Sequence, residues 1–281
     1  MKKYLTLFYI SAVLLFSGCT HLLYLDSAMD YFNQGANLEN QLRFQPEAGA
    51  SASPTMYYSM AYSGLNKALE KQKEELRKDH VLGSTYTVKA LCEWKLKLYD
   101  KAIQSADAAV EELLAMDQAT GIKMPRDMAL MEALPALIEV EKAKESLFSL
   151  REQTEATLEE ARSYYVSSIF DPDAEKAATL EQAIKKIGEI QKKARGNDEL
   201  SVYFVQSQLA GLKTWSDAID LLRQKEKGLD EASKREAQEF RKAQRDQFLE
   251  PEKGRLLERL GSLLPPGEPG GRLIDYWKKI I

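Results

Sequence analysis

The sequence predicts an all-α fold of antiparallel helix pairs behind an N-terminal segment that does not belong to the fold. Three observations predict it. Long stretches lack Gly and Pro while Ala and Leu recur at helical spacing, the rhythm of helices with one buried face. No run alternates apolar and polar residues with the period of a strand. The Pro and Gly that do occur gather where helices start and stop: Ser53-Pro54, Gly121 to Pro125, Asp171-Pro172, Gly196-Asn197 and the stretch from Pro265 to Gly271.

The first element is a leader. Met1-Lys2-Lys3 is a short basic head, and an apolar run from Leu5 to Phe16 follows, broken only by Thr6 and Ser11. A bilayer-spanning helix needs about 20 apolar residues, so this run is too short to cross. A basic head, a short apolar stretch and small residues at its end describe a secretory signal. Here the end reads Leu15-Phe16-Ser17-Gly18-Cys19. That resembles the bacterial lipobox, with Phe16 where the family usually has Leu. The resemblance implies diacylglycerol on the Cys19 sulfur, cleavage after Gly18 and an N-acyl chain on Cys19. Acyl chains contribute about 0.8 kcal/mol per buried methylene, and two or more anchor stably. Thr20, where the enteric pattern has Asp for inner-membrane retention, implies an outer-membrane lipoprotein facing the periplasm.

Composition narrows the rest. Hydrophobic residues are 44% and charged residues 29%, ordinary for a soluble globular chain. A mature chain of about 260 residues suffices for one elongated domain or two small ones. The net charge is −4, and loss of Lys2 and Lys3 makes the remainder more acidic. Mixed, mildly acidic charge argues against nucleic acid and against a polybasic membrane patch. With Cys19 acylated, Cys92 has no partner for an intrachain disulfide; beside Trp94 in a helical pattern it reads as a buried thiol.

The expected helices run in order. The first covers about Leu22 to Leu42, followed by an Ala-, Gly- and Ser-rich loop from Phe44 to Ala52. Ser53 then caps, and Pro54 opens, a helix to about Arg77. Helices follow at about Gly83 to Lys97 and Asp100 to Met116. Pro125 opens the next; Pro135, within the apolar pattern from Met128 to Val140, is expected to kink or split it. Helices at Thr154 to Ile169, from Pro172 to about Ala194, from Asp198 to Leu212 and from Ser216 onward come next. Lys225 to Lys253 is dense in charge, with a thin apolar stripe of Leu229, Ala232, Phe240, Ala243 and Phe248, and reads as a solvated helix. A short apolar helix from Arg255 to Leu264 and a last one from Leu273 close the chain, the latter offering Tyr276, Trp277 and Ile280 as a docking face that caps the stack.

One pattern recurs. Tyr58, Ala61 and Ala68 repeat as Tyr99, Ala102 and Ala109, 41 residues on; Trp215 and Ala218 repeat its first half. An aromatic at the turn plugs the gap between paired helices, and small residues on one stripe let a neighbour approach. Tyr86 and Ala90 place a matching large-then-small face on the preceding helix. The pattern resembles the tetratricopeptide repeat (TPR), a helix–turn–helix unit of about 34 residues. The likeness is good over Ser84 to Met116, partial over Asp26 to Arg77, where a loop is inserted around Gly49 to Ser53, and weak over Asp198 to Leu222, where Lys225 replaces an expected small residue. Met124 to Ala194 matches only as helical hairpins. The resemblance implies a TPR-like α-solenoid, and the chain divides into a signal peptide (1–18), a lipid-anchored tether (19–26), a TPR-like helical domain (27–223), and a charged helix with capping helices (224–281).

No chemistry of catalysis or cofactor binding is written in the chain. There is no Gly-rich phosphate loop and no Gly-x-Ser-x-Gly turn. His21 and His80 are the sole histidines, neither near a metal-ligand cluster or a nucleophile in sequence. The carboxylate pairs Glu111-Glu112 and Glu159-Glu160 read as solvated. Binding is better supported, because stacked helix pairs form a concave face suited to extended peptides or helices. The resemblance implies that the first helix of each repeat lines it, which puts Thr87, Lys89, Glu93 and Lys97 forward as groove residues. Met56, Tyr57, Tyr58, Met60 and Tyr62 form an aromatic- and Met-rich helix start suited to core packing, with a wet aromatic groove as the alternative. The expected function is a non-enzymatic, membrane-anchored scaffold for a protein or peptide partner, in the assembly of an envelope complex. A small-ligand-binding lipoprotein beside a transporter and a purely structural envelope protein are the alternatives.

Overall fold

A computed structural model of the chain describes residues 20–44, 53–156, 175–193, 198–226, 230–265 and 267–281. The fold is all-α, with no strand among the described residues. No described helix is long and apolar enough to cross a membrane. The leader, Cys19, most of the expected helix from Thr154 to Ile169, and the Asp171-Pro172 and Gly196-Asn197 signals lie outside the described residues.

The helices are α1 (Thr20–Phe44), α2 (Pro54–Lys78), α3 (Leu82–Lys95), α4 (Tyr99–Thr120), α5 (Pro125–Ala156), α6 (Glu175–Lys193), α7 (Asp198–Lys225), α8 (Glu231–Gln244), α9 (Glu250–Leu263) and α10 (Glu268–Ile280). A π-helical turn, Arg245–Leu249, carries α8 into α9. Ser53 Oγ accepts the Met56 N–H at 3.3 Å, with Pro54 in the first turn, so the cap expected for α2 forms. Gly121, left-handed at φ 73°, closes α4.

The turns after α2 and α3 are built alike. His80 N–H donates to Arg77 O (3.1 Å) and Val81 N–H to Leu76 O (2.9 Å). Lys97 N–H donates to Trp94 O (2.9 Å) and Leu98 N–H to Glu93 O (2.8 Å). Both are Schellman closures, with His80 (φ 61°) and Lys97 (φ 62°) in the left-handed region that favours glycine. Each turn sends its helix back along the one before.

The chain divides into two compact units, one ending at Leu134 and one beginning at Pro135, a boundary inside the stretch 27–223. In the first unit α1 packs along α2, α3 along α4, and α2 along α3, with α1 also reaching α3. Small residues line these seams. Ala28, Ala61, Ala68, Ala90, Ala102 and Ala109 are all buried. A Cβ on Gly35 would fall 2.8 Å from Tyr58 Cε1, and one on Gly83 would fall 2.7 Å from Leu113 Cδ2. Tyr58 is held from both sides: its hydroxyl donates to Glu39 Oε2 at 2.7 Å, and its ring lies 5.4 Å from that of Phe32. Lys95 Nζ donates to the same Glu39 carboxylate at 2.9 Å, which ties α1, α2 and the end of α3 together. At the start of α1, His21 Nε2 lies 2.6 Å from Asp79 Oδ2 in the α2–α3 turn.

In the second unit α6 and α7 form the central pair, and α9 lies on α7. Gly188 and Gly211 make room on facing helices. Gln208 Nε2 passes Gly188 and donates to Ile184 O at 2.9 Å, while Gly211 faces the Ile184 side chain. Trp215 stacks at 4.5 Å on Phe248. Helix α10 folds back on α9 and buries Trp277; Ser216 Oγ donates to Ile281 O at 3.4 Å. Of the expected docking face, Trp277 is buried and Tyr276 and Ile280 are half-buried. Helix α8 is largely exposed, as expected of a solvated helix: Ala232 and Phe240 are exposed and Ala243 is half-buried.

Two expectations are corrected. Pro135 does not split the helix expected there: α5 continues through it. Pro135 itself is exposed, and buried Ala133, Leu134, Ala136, Leu137 and Ile138 hold the helix on either side of it. Nor does a helix start at Ser216: α7 is continuous, and Trp215 and Ala218 sit buried in its middle. Just before Ser216, Thr214 donates its hydroxyl backwards to Ala210 O at 3.2 Å, within the same helix. The third copy of the repeat therefore has no turn.

A left-handed histidine is strained by about 1–2 kcal/mol, part of which glycine gives back as unfolded-state entropy. His80→Gly is therefore expected to stabilise the protein by about 0.5–1 kcal/mol. Urea unfolding checks this; an unchanged or lower midpoint contradicts it.

Candidate functional site

One face of α3 carries a buried carboxylate, Glu93, whose two oxygens have no hydrogen-bond partner among the described residues. Tyr86, Lys89 and Glu93 follow at spacings of three and four, so they share a face. The turn at Lys97 brings α4 alongside and sets Lys101, Gln104, Ser105 and Ala108 against that face. With Tyr62 from α2 they line a cleft of about 350 Å³.

Glu93 lies at the centre of the chemistry. Its side chain is 1% exposed, and among the described residues neither carboxylate oxygen has a hydrogen-bond donor. Among the described residues its ion-pair contact is Lys89 Nζ, 3.4 Å from Oε1 and one turn back on the same helix. Glu93 also sits in the last turn of α3, at the negative end of the helix dipole. A buried charged group left without hydrogen bonds costs about 1–3 kcal/mol or more. Glu39, by contrast, receives Tyr58 and Lys95. The neighbouring Cys92 thiol is fully buried, and burial first, then the Glu93 charge, pushes its pKa far above the ordinary thiol value. It is therefore no nucleophile at neutral pH.

The groove residues expected from the sequence separate. Lys89 and Glu93 line the cleft. Thr87 does not: it is buried, and its hydroxyl donates to Gly83 O at 3.1 Å inside α3. Lys97 is exposed in the turn beyond the helix. The groove was also expected on the first helix of a repeat alone, whereas the cleft takes residues from α2, α3 and α4. Among the packing positions, Tyr58, Ala61, Ala68, Ala90, Ala102, Ala109, Trp215 and Ala218 are buried, while Tyr86 and Tyr99 are half-buried. The aromatic start of α2 splits: Tyr58 is core, Met56 and Met60 are exposed, and Tyr62 is a cleft wall. Lys101, Gln104, Ser105 and Ala108 went unnoticed, although they recur as a helical stripe beside Ala102 and Ala109.

A second cleft lies in the other unit, between the end of α6, the start of α7 and α9. Its Lys192, Arg255 and Arg259 are offset by Asp198 and Glu258, and Arg255 is already held by Glu252 at 2.6 Å. Among the described residues no three His, Cys, Asp or Glu side chains gather with metal-binding geometry. No protein-family model, curated protein or solved structure matches the chain.

Replacing a buried charge by an apolar group of similar volume relieves its desolvation. Glu93→Leu is expected to raise stability by about 1 kcal/mol or more in urea unfolding. A clear loss of stability would make Glu93 a structural group.

Proposed function

We propose that this chain is a bacterial envelope lipoprotein whose stacked, TPR-like hairpins hold a protein or peptide partner close to the membrane. One observation carries the reading: the short apolar leader ends in Ser17-Gly18-Cys19, and a helix follows directly at Thr20. An acyl group on Cys19 then leaves almost no tether, so α1 begins at the lipid surface. The first turns of α1 agree with that position, with Leu22, Leu23 and Met29 exposed.

The scaffold half of the reading is supported by the first unit. Two helix pairs stack through small-residue seams, and the pattern of aromatic and Ala positions resembles TPR hairpins. Stacked pairs present ridges and clefts along one side, which suits extended partners. Thr20 beside the acylated cysteine favours the outer membrane, facing the periplasm. Scaffolding, not turnover, is the role proposed.

Growth with labelled palmitate followed by cross-linking and pull-down from the protein's own membranes tests both halves. The wild-type chain is expected to take up label, stay with the membrane and recover a partner protein in stoichiometric amount. Cys19→Ala is expected to lose label and membrane association. Label that persists in Cys19→Ala contradicts the anchor, and a pull-down without a stoichiometric partner contradicts the scaffold.

A further inference from the structure

We infer that the cleft around Glu93 receives the guanidinium or ammonium group of an arginine or lysine side chain presented by a partner peptide. The inference deepens the scaffold reading and rests on it only for the peptide source of the cation. Both Glu93 oxygens are desolvated and without a hydrogen bond among the described residues, and the Glu93 side chain forms part of the cleft wall. An ionised carboxylate offers about four acceptor sites. Lys89 approaches one oxygen at 3.4 Å, outside the range of a good charge-assisted hydrogen bond, and keeps its own head partly in solvent. A guanidinium presents two parallel N–H donors matched to two carboxylate oxygens, so it satisfies what Lys89 leaves open.

The walls suit such a guest. Tyr62 and Tyr86 supply aromatic surface on which a cation rests favourably, and Lys73 Nζ already lies 5.7 Å from the Tyr86 ring centre. Gln104 and Ser105 add hydrogen-bonding side chains for the peptide that carries the cation. Lys89 holds the carboxylate loosely when the site is empty and moves outward when the guest enters. Lys101, exposed at the mouth, opposes cations from the rim. That gives the inference a sign: removing positive charge from the rim strengthens binding, whereas an anion site would weaken.

Isothermal titration of the full chain in detergent tests it, with acetyl-Gly-Arg-Gly-amide as probe and the Asp tripeptide and free agmatine as comparisons. The arginine probe is expected to bind saturably and the Asp probe not at all. Glu93→Gln is expected to weaken the arginine probe roughly tenfold or more, the effect of losing a charged hydrogen-bond partner. Lys101→Glu, on the exposed rim where folding is not at stake, is expected to tighten it several-fold. Absence of saturable binding, binding unchanged in Glu93→Gln, weaker binding in Lys101→Glu, or preference for the Asp probe would each overturn the assignment. Agmatine bound as tightly as the tripeptide would overturn the peptide source. The titration needs no natural partner, so its failure removes the cleft assignment alone, while the scaffold reading stands or falls on the membrane pull-down.

Discussion

The structure depends on how closely its helices approach one another. Helices packed through large side chains stand about 10 Å apart, and small residues at the contact bring them nearer. In this chain each tight seam pairs a glycine with a larger partner: Gly35 with Tyr58, Gly83 with Leu113, Gly188 with Gln208 and Gly211 with Ile184. Alanines at positions 28, 61, 68, 90, 102 and 109 extend the seams of the first unit. Glycine inside a helix weakens it by about 0.5–1 kcal/mol relative to alanine. Its presence at facing positions is repaid by packing contacts that a Cβ would block.

Close approach also decides which polar groups keep water. Glu39 lies where three helices meet and finds both a tyrosine hydroxyl and a lysine. Gln208 crosses a glycine gap and finds a backbone carbonyl. Glu93 is enclosed more tightly than Glu39 and finds only a distant ammonium from its own helix. Such a group weakens the fold, and that is the reason to read it as a binding group: satisfied buried acids are structural, and an unsatisfied one at the floor of a cleft is available to a guest.

The helices were legible in the sequence because their signals are local. Ser53-Pro54, Gly121 and Pro125 each act on the turn they occupy, and α2, α4 and α5 begin or end there. The stripe of Tyr58, Ala61 and Ala68 and its copy were legible because helical spacing alone puts them on one face. Pro135 and the helix start expected at Ser216 are exceptions for one reason: a local signal is overridden when buried neighbours on both sides hold the helix. The close contacts of Gly35 and Gly83 are not legible in sequence, since a lone glycine reveals its partner only once a second helix lies against it. The cleft was half legible. Lys89 and Glu93 share a face by spacing, but Thr87 turns inward and Lys97 leaves the helix, and neither follows from sequence. Tyr62 joins the cleft through the turn at His80 and the α4 stripe through the turn at Lys97, both non-glycine residues in a left-handed conformation that no sequence signal marks.

The most direct test of the close-approach account is the stability of Gly35→Ala, measured in the parent and in a Tyr58→Leu background. In an exposed helix this substitution gains about 1 kcal/mol. Here the new Cβ would meet a ring pinned by Glu39 and Phe32, so the parent is expected to lose stability, by about 1–3 kcal/mol of overpacking less that gain. With Tyr58 replaced, the same alanine is expected to stabilise, giving a strong coupling between the two positions. A Gly35→Ala parent that is more stable, with effects that simply add, would contradict the account.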